Sequence, residues 1–254
     1  RRLTFMTRSG RKTTMADLEP ATLHPPPELI IPGDDAPTAP QACAFRLHAA
    51  DGVGLRLALW RGPFCRATIL IFPGRTEYAE KYHRVADWLV ARGHAVLAID
   101  WRGQGASDRL IDNRAAGHVD DFSSYQLDVA AMRLAAGRLE LPRPFHLLCH
   151  SMGGAIGLRA LHRGLDVQSV VFSAPMWGIR IGRLPEWLGP GLARFLSHIA
   201  GRVGLSEWQL PGRGLPPADP HDREALFRDN PLTSDPEWWE WVGRLNQALP
   251  AQMI

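Results

Sequence analysis

Two stretches of alternating polarity, "AFRLHAA" and "GLRLALW", flank "DGV" between Ala44 and Trp60, and this spacing predicts an antiparallel β-hairpin at the edge of a sheet. Downstream the alternation gives way to continuous apolar runs, "ATILIF" (Ala67–Phe72) and "HAVLAID" (His94–Asp100), the pattern of strands buried on both faces. Between them "AEKYHRVADWLVARG" has helical spacing, which completes a βαβ unit. The same order continues through the helix "DDFSSYQLDVAAMRLAAGRL", the strand "FHLLCH", the helix "SMGGAIGLRALHRG" and the strand "QSVVFSA", as far as Pro175. The expected class is α/β, a mostly parallel sheet with helices on both faces.

Outside 42–175 the pattern changes. Residues 176–254 hold no convincing strand but six of the nine tryptophans, Trp177, Trp187, Trp208, Trp238, Trp239 and Trp241, and read as a helical cap or lid. Large aromatics there either fasten a helical layer to the sheet or line an apolar pocket. At the other end, residues 1–41 are expected to be a disordered or non-native tail. "RRLTFMTRSGRKTTM" lacks the apolar stretch of a secretory signal, and "EPATLHPPPELIIPGDDAPTAP" carries too much proline for a helix or central strand. Met15 is a plausible start, and ordered structure is expected near Ala42.

Charge and cysteine content narrow the function classes. The formal net charge is +3, but Arg1, Arg2, Arg8, Arg11 and Lys12 all lie in the tail and leave 24 basic against 26 acidic residues, net −2, in the rest. That gives no case for nucleic-acid binding. Cys43, Cys65 and Cys149 show no metal-ligand spacing and are odd in number, which suits a reduced, cytoplasmic compartment. No run approaches the length of a membrane span, so any membrane contact is expected to be peripheral.

The chemistry points to "HLLCHSMGGAIGLRA", where an apolar strand stops at Ser151 and restarts as a small-residue helix. A serine on such a turn is presented beyond the C-terminal end of a strand and beside a helix N-terminus, where ligands bind in α/β sheets. The backbone N–H of Met152 then faces a developing oxyanion. So tight a turn tolerates only small residues two positions either side. Gly153 satisfies this on one side, and Cys149 stands where G-x-S-x-G would have glycine. "FPGRTEY" (Phe72–Tyr78) follows an earlier strand, and the N–H of Arg75 is placed to be the second donor. The Arg75 side chain could pair with Glu77, shape the pocket mouth or lie in solvent. In "DWRGQGASD", the residues Asp100, Arg102 and Asp108 read as loop-ordering groups.

Taken together and in this order, "FPGRTEY", "DWRGQGASD" and "HSMGG" resemble the α/β-hydrolase superfamily, and within it the lysophospholipase and monoacylglycerol-lipase group, often labelled serine aminopeptidase-like. "GHVDDFSSYQLDV" (Gly117–Val129) is similar to a segment that precedes the nucleophile in that group. The resemblance covers about Ala42 to Trp187 well and the cap loosely; Cys149 departs from the group's usual glycine. It implies that Ser151 is the nucleophile, that Arg75 and Met152 give the oxyanion donors, and that a lipid ester is hydrolysed through an acyl-enzyme with no metal or cofactor.

The resemblance also implies a triad acid and histidine after later strands, in the order Ser, acid, His. After Ser151 the histidines are His162, His198 and His221. His162 lies three helical turns from the serine, and the other two fall in the cap. The acids Asp219, Asp222, Asp229 and Asp235 follow no buried strand, and His150 points off the other side of the turn. The expectation is therefore a C-terminally incomplete hydrolase, its last strands missing and inactive as it stands. Two other readings stay open: a peptidase or small-ester hydrolase, and a non-catalytic scaffold that lacks the triad.

Overall fold

The computed structural model describes residues 4–6, 12–14, 29, 31, 41–113, 117–178 and 233–248. Within residues 1–41, β1 (Thr4–Met6) and β2 (Lys12–Thr14) pair antiparallel with Thr4 opposite Thr14. Their threonines favour extended pairing.

The predicted hairpin is β3 (Gln41–His48) and β4 (Gly54–Arg61), antiparallel with Phe45 opposite Leu57. Its turn closes through Ala49 N–H to Val53 O at 2.9 Å, with Gly52 at φ 87°. The apolar runs are β5 (Ala67–Phe72) and β6 (His94–Asp100), and β7 (Phe145–His150) and β8 (Ser169–Ser173) follow. The helices are α1 (His83–Val90), α2 (Tyr125–Arg138), α3 (Met152–His162) and α4 (Pro236–Ala248).

The six strands run in the order β3-β4-β6-β5-β7-β8, parallel from β6 through β8 and antiparallel at the hairpin. Because successive side chains in a strand point to opposite faces, each apolar run feeds two cores. Leu70, Phe72, Leu97 and Ile99 pack with Tyr125, Met132 and Ile156 of α2 and α3. Ile71, Val96 and Ala98 pack with Trp60 and Ala86 on the α1 side. β8 lies at the edge, and there the burial alternates, with Ser169, Val171 and Ser173 exposed.

Residues 1–177 with 243–254 form one compact unit and 178–242 another. In the second, Trp238 and Trp241 pack with ring centroids 4.8 Å apart and planes tilted by 46° at the start of α4. Trp187 and Trp208 lie outside the described residues. Among the described residues no helix is long and apolar enough to cross a membrane.

Candidate active site at the end of β7

Ser151 sits at the apex of the turn between β7 and α3 with φ 48° and ψ −117°, a left-handed conformation a non-glycine residue rarely holds. Three bonds tie the turn down. Ser151 N–H donates to Ser173 O at 3.1 Å, while Ser151 O accepts from Gly154 N–H at 2.8 Å and Met176 N–H at 2.8 Å. The sharpness of the turn also depends on glycines. A Cβ on Gly153 would lie 2.1 Å from Phe72 O, and one on Gly154 would lie 2.5 Å from the Pro175 Cβ. The start of α3 therefore packs directly on the backbone at the end of β5.

Cys149, the irregular position, is fully buried. The room for its sulfur comes from α3, since a Cβ on Gly157 would meet Cys149 Sγ at 2.4 Å. Burial pushes the thiol up to about 12, so it is neutral at ordinary pH and no rival nucleophile. Gly157→Ala is expected to destabilise the protein by about 1–3 kcal/mol through overpacking, and Cys149→Gly in the same chain is expected to recover most of that loss. Chemical denaturation of the two single variants and the double variant measures the coupling. Additive effects would show that the two residues do not share this space.

The loop after β5 passes beside the serine, for a Cβ on Gly74 would lie 3.2 Å from Ser151 Cβ. Here Gly74 N–H donates to Glu77 Oε2 at 2.6 Å, and Thr76 N–H donates to Gln104 Oε1. Among the described residues neither the Arg75 N–H nor the Met152 N–H is taken up in a hydrogen bond. The Arg75 side chain is exposed, and Glu77 bonds Gly74 and the Tyr82 hydroxyl instead. Trp101 secures the loop from beneath, donating from Nε1 to Pro73 O at 2.9 Å and packing edge-on to Phe72.

The residues read as loop-ordering do order loops. Asp100 is fully buried and accepts from Ala79 N–H at 2.8 Å, Ala106 N–H at 2.8 Å and Arg56 Nη1 at 3.0 Å. Arg56 also pairs with Glu80. Burial by itself would lower the Arg56 guanidinium, and Asp100 and Glu80 together raise it above its usual value. Gly105, at φ 52°, leaves no room for a Cβ beside the Asp100 carboxylate. Arg102 bonds Asp128 and Asp51, and burial pushes the Asp128 carboxyl up to about 6 against the pull of Arg102. Asp108 accepts from Gly54 N–H at 2.7 Å and from Arg46 Nη1 at 3.2 Å.

No acid or base partner for Ser151 appears among the described residues. The His150 ring lies with Nδ1 3.2 Å from Ser173 O, and His162 ends α3. Asp235 caps α4, its Oδ1 accepting from Glu237 N–H at 3.0 Å and Trp238 N–H at 3.3 Å. His198, His221, Asp219, Asp222 and Asp229 lie outside the described residues. Sequence reasoning missed Gln104 and Gly157. Nothing local signals either contact, since Gln104 reaches a partner 28 residues away.

The β7–α3 turn thus holds a strained serine between a parallel strand and a helix, beside the loop that follows β5. The sequence model of the family described as serine aminopeptidase, S33, matches residues 64–242. The chain belongs to this α/β-hydrolase family. Lysophospholipase L2 of Escherichia coli is 37% identical over 168 residues, which cover 65% of this chain and 49% of the relative. The protein named "Probable lysophospholipase L2" in Haemophilus influenzae is 28% identical over 187 residues, 73% of this chain and 55% of the relative. The chain thus spans about half the length of the curated relatives it matches. The solved structure of DcsB in complex with its substrate analogue superposes with a TM-score of 0.51 at 18% identity, covering 68% of this chain and 56% of that one, a likeness of fold alone. Membership in the serine aminopeptidase S33 family agrees with the fold class and the family group expected from the three loop motifs.

Proposed function

We propose that the whole protein is a serine esterase that hydrolyses a lipid carboxylic ester, a lysophospholipid or monoacylglycerol, through an acyl-enzyme on Ser151. The observation that carries this is Ser151 at φ 48° on the β7–α3 turn, with the N–H groups of Arg75, on the loop after β5, and Met152, at the start of α3, both without a partner among the described residues. In this reading Ser151 Oγ attacks the ester carbonyl while a base removes its proton. The carbonyl oxygen becomes an oxyanion between the two N–H groups, the alcohol leaves with a proton, and water releases the fatty acid from the serine. Ser151 stands at the N-terminus of α3, whose dipole favours the negative charge.

The triad acid and histidine belong, in this proposal, outside the described residues. Residues 42–175 form the hydrolase core and 176–254 the cap, whose tryptophans suit an acyl chain. The substrate class draws support from curated relatives that are named lysophospholipases.

Fluorophosphonate labelling of the whole-length protein, followed by peptide mapping, tests the nucleophile. The label is expected on the peptide that holds Ser151. A label elsewhere would overturn the assignment, and a folded protein that neither takes label nor hydrolyses ester would favour the non-catalytic scaffold.

A further inference from the structure

We propose that Glu77 and Gln104 form a clamp that aims the Arg75 N–H at the oxyanion, which makes both of them positioning residues; the proposal rests on the reading of Ser151 as nucleophile. A backbone N–H turns with its rigid peptide plane, so its direction is set by the planes on either side. Those two planes are the ones pinned here. Gly74 N–H is held by Glu77 Oε2 at 2.6 Å, and Thr76 N–H is held by Gln104 Oε1, so the intervening amide is constrained without being used.

Glu77 is held by a second donor, and Gln104 by burial and by the closure of its loop. Glu77 Oε2 also accepts from the Tyr82 hydroxyl at 2.6 Å. Gln104 is 4% exposed, and its loop is closed by Gln104 N–H to Trp101 O at 2.9 Å, Ser107 N–H to Gln104 O at 3.1 Å and Gly103 N–H to Asp108 O at 2.9 Å. Between the jaws Thr76 is held at φ 58°, an uncommon state for a β-branched residue and one that persists only where the surroundings over-determine it. Lys81 Nζ adds a bond to Thr76 O at 3.4 Å. The clamp thus spans the loop at the point where Gly74 passes Ser151, and it links that loop to the "DWRGQGASD" segment. The position between Gly103 and Gly105 thereby acquires a function, since an amide acceptor there can reach the Thr76 N–H while both glycines let the loop turn.

The test uses the whole-length protein and p-nitrophenyl butyrate. Gln104→Met and Glu77→Met remove the acceptor at similar volume, whereas Gln104→Glu and Glu77→Gln keep one. Losing an oxyanion donor outright costs roughly 10²–10³-fold in kcat. A donor left present but mis-aimed is expected to cost about 10–100-fold, with KM within about threefold, and the acceptor-keeping variants are expected to recover most of that kcat. Thermal unfolding checks that each variant is folded. If a methionine variant does not fold, Gln104→Asn or Glu77→Asp, which shorten the arm by one methylene, must show the same kcat loss. Wild-type kcat in the methionine variants, a loss confined to KM, or an equal loss in the acceptor-keeping variants overturns the clamp. Failure of the nucleophile reading looks different: the wild-type protein itself is unlabelled or Ser151→Ala retains full activity, and that result overturns both.

Discussion

Replacing Ser151 with alanine is expected to lower kcat for ester hydrolysis by the whole-length protein by about 10⁴-fold or more, with KM little changed. The size of the effect follows from what surrounds the turn. Among the described residues no neighbouring group can take over: the Cys149 thiol is buried and held neutral, and the His150 ring sits against Ser173 O. The spare amides of Arg75 and Met152 are untouched by the substitution, so a residual rate of roughly 10³-fold over water is expected from the oxyanion site and substrate binding alone. Alanine also lacks any group that relieves φ 48°, so the strain remains and stability should hardly move. Steady-state kinetics beside thermal unfolding checks both halves. A kcat within tenfold of wild type would show that the chemistry does not pass through Ser151.

The second large effect is on stability and falls away from the serine. Asp100→Ala is expected to cost about 3–5 kcal/mol, because it strips a fully buried carboxylate from two backbone amides and from the buried Arg56. For a protein of this size that corresponds to a fall in Tm of roughly 6–20 °C. Arg56 lies directly across from Asp100 in the β4–β6 register, and a desolvated charge that loses such a partner cannot be rescued by water. The contrast is the Arg143–Asp166 pair, whose side chains are 64% and 72% exposed. Solvent screens that pair, and Asp166→Ala is expected to stay within about 0.5 kcal/mol of wild type. Equal losses in the two variants, measured by chemical denaturation, would contradict a buried network at Asp100. The Asp100 variant is also expected to loosen the turn at Ala79, and with it the end of the loop that carries Arg75.

Much of this was legible along the chain because the signals are local. Alternation placed the hairpin between Ala44 and Trp60, inside the Gln41–Arg61 span it occupies, and continuous apolar runs gave β5 and β6, since a strand buried on both faces has no polar side. Ser151 was legible for the same reason: a strand, a sharp turn and a glycine-rich helix are contiguous in sequence. Asp100, Arg102 and Asp108 were read as structural, and their bonds to Arg56, Asp128 and Gly54 agree. Of the roles open to the Arg75 side chain, the exposed one is observed, and Glu77 folds back onto Gly74 N–H.

What the sequence determined by itself was the kind of element at each position and the serine at the β7–α3 turn, both set by period, turn residues and side-chain size within a few positions. Tertiary structure alone decided the rest. It inserted β6 between β4 and β5, which sets Asp100 opposite Arg56. It brought Gln104 to Thr76, and it laid Gly157 over Cys149, which makes room for a cysteine where G-x-S-x-G has glycine. These are contacts between segments far apart in the chain, fixed by how strands order and helices cross, and no local pattern encodes the distance they close.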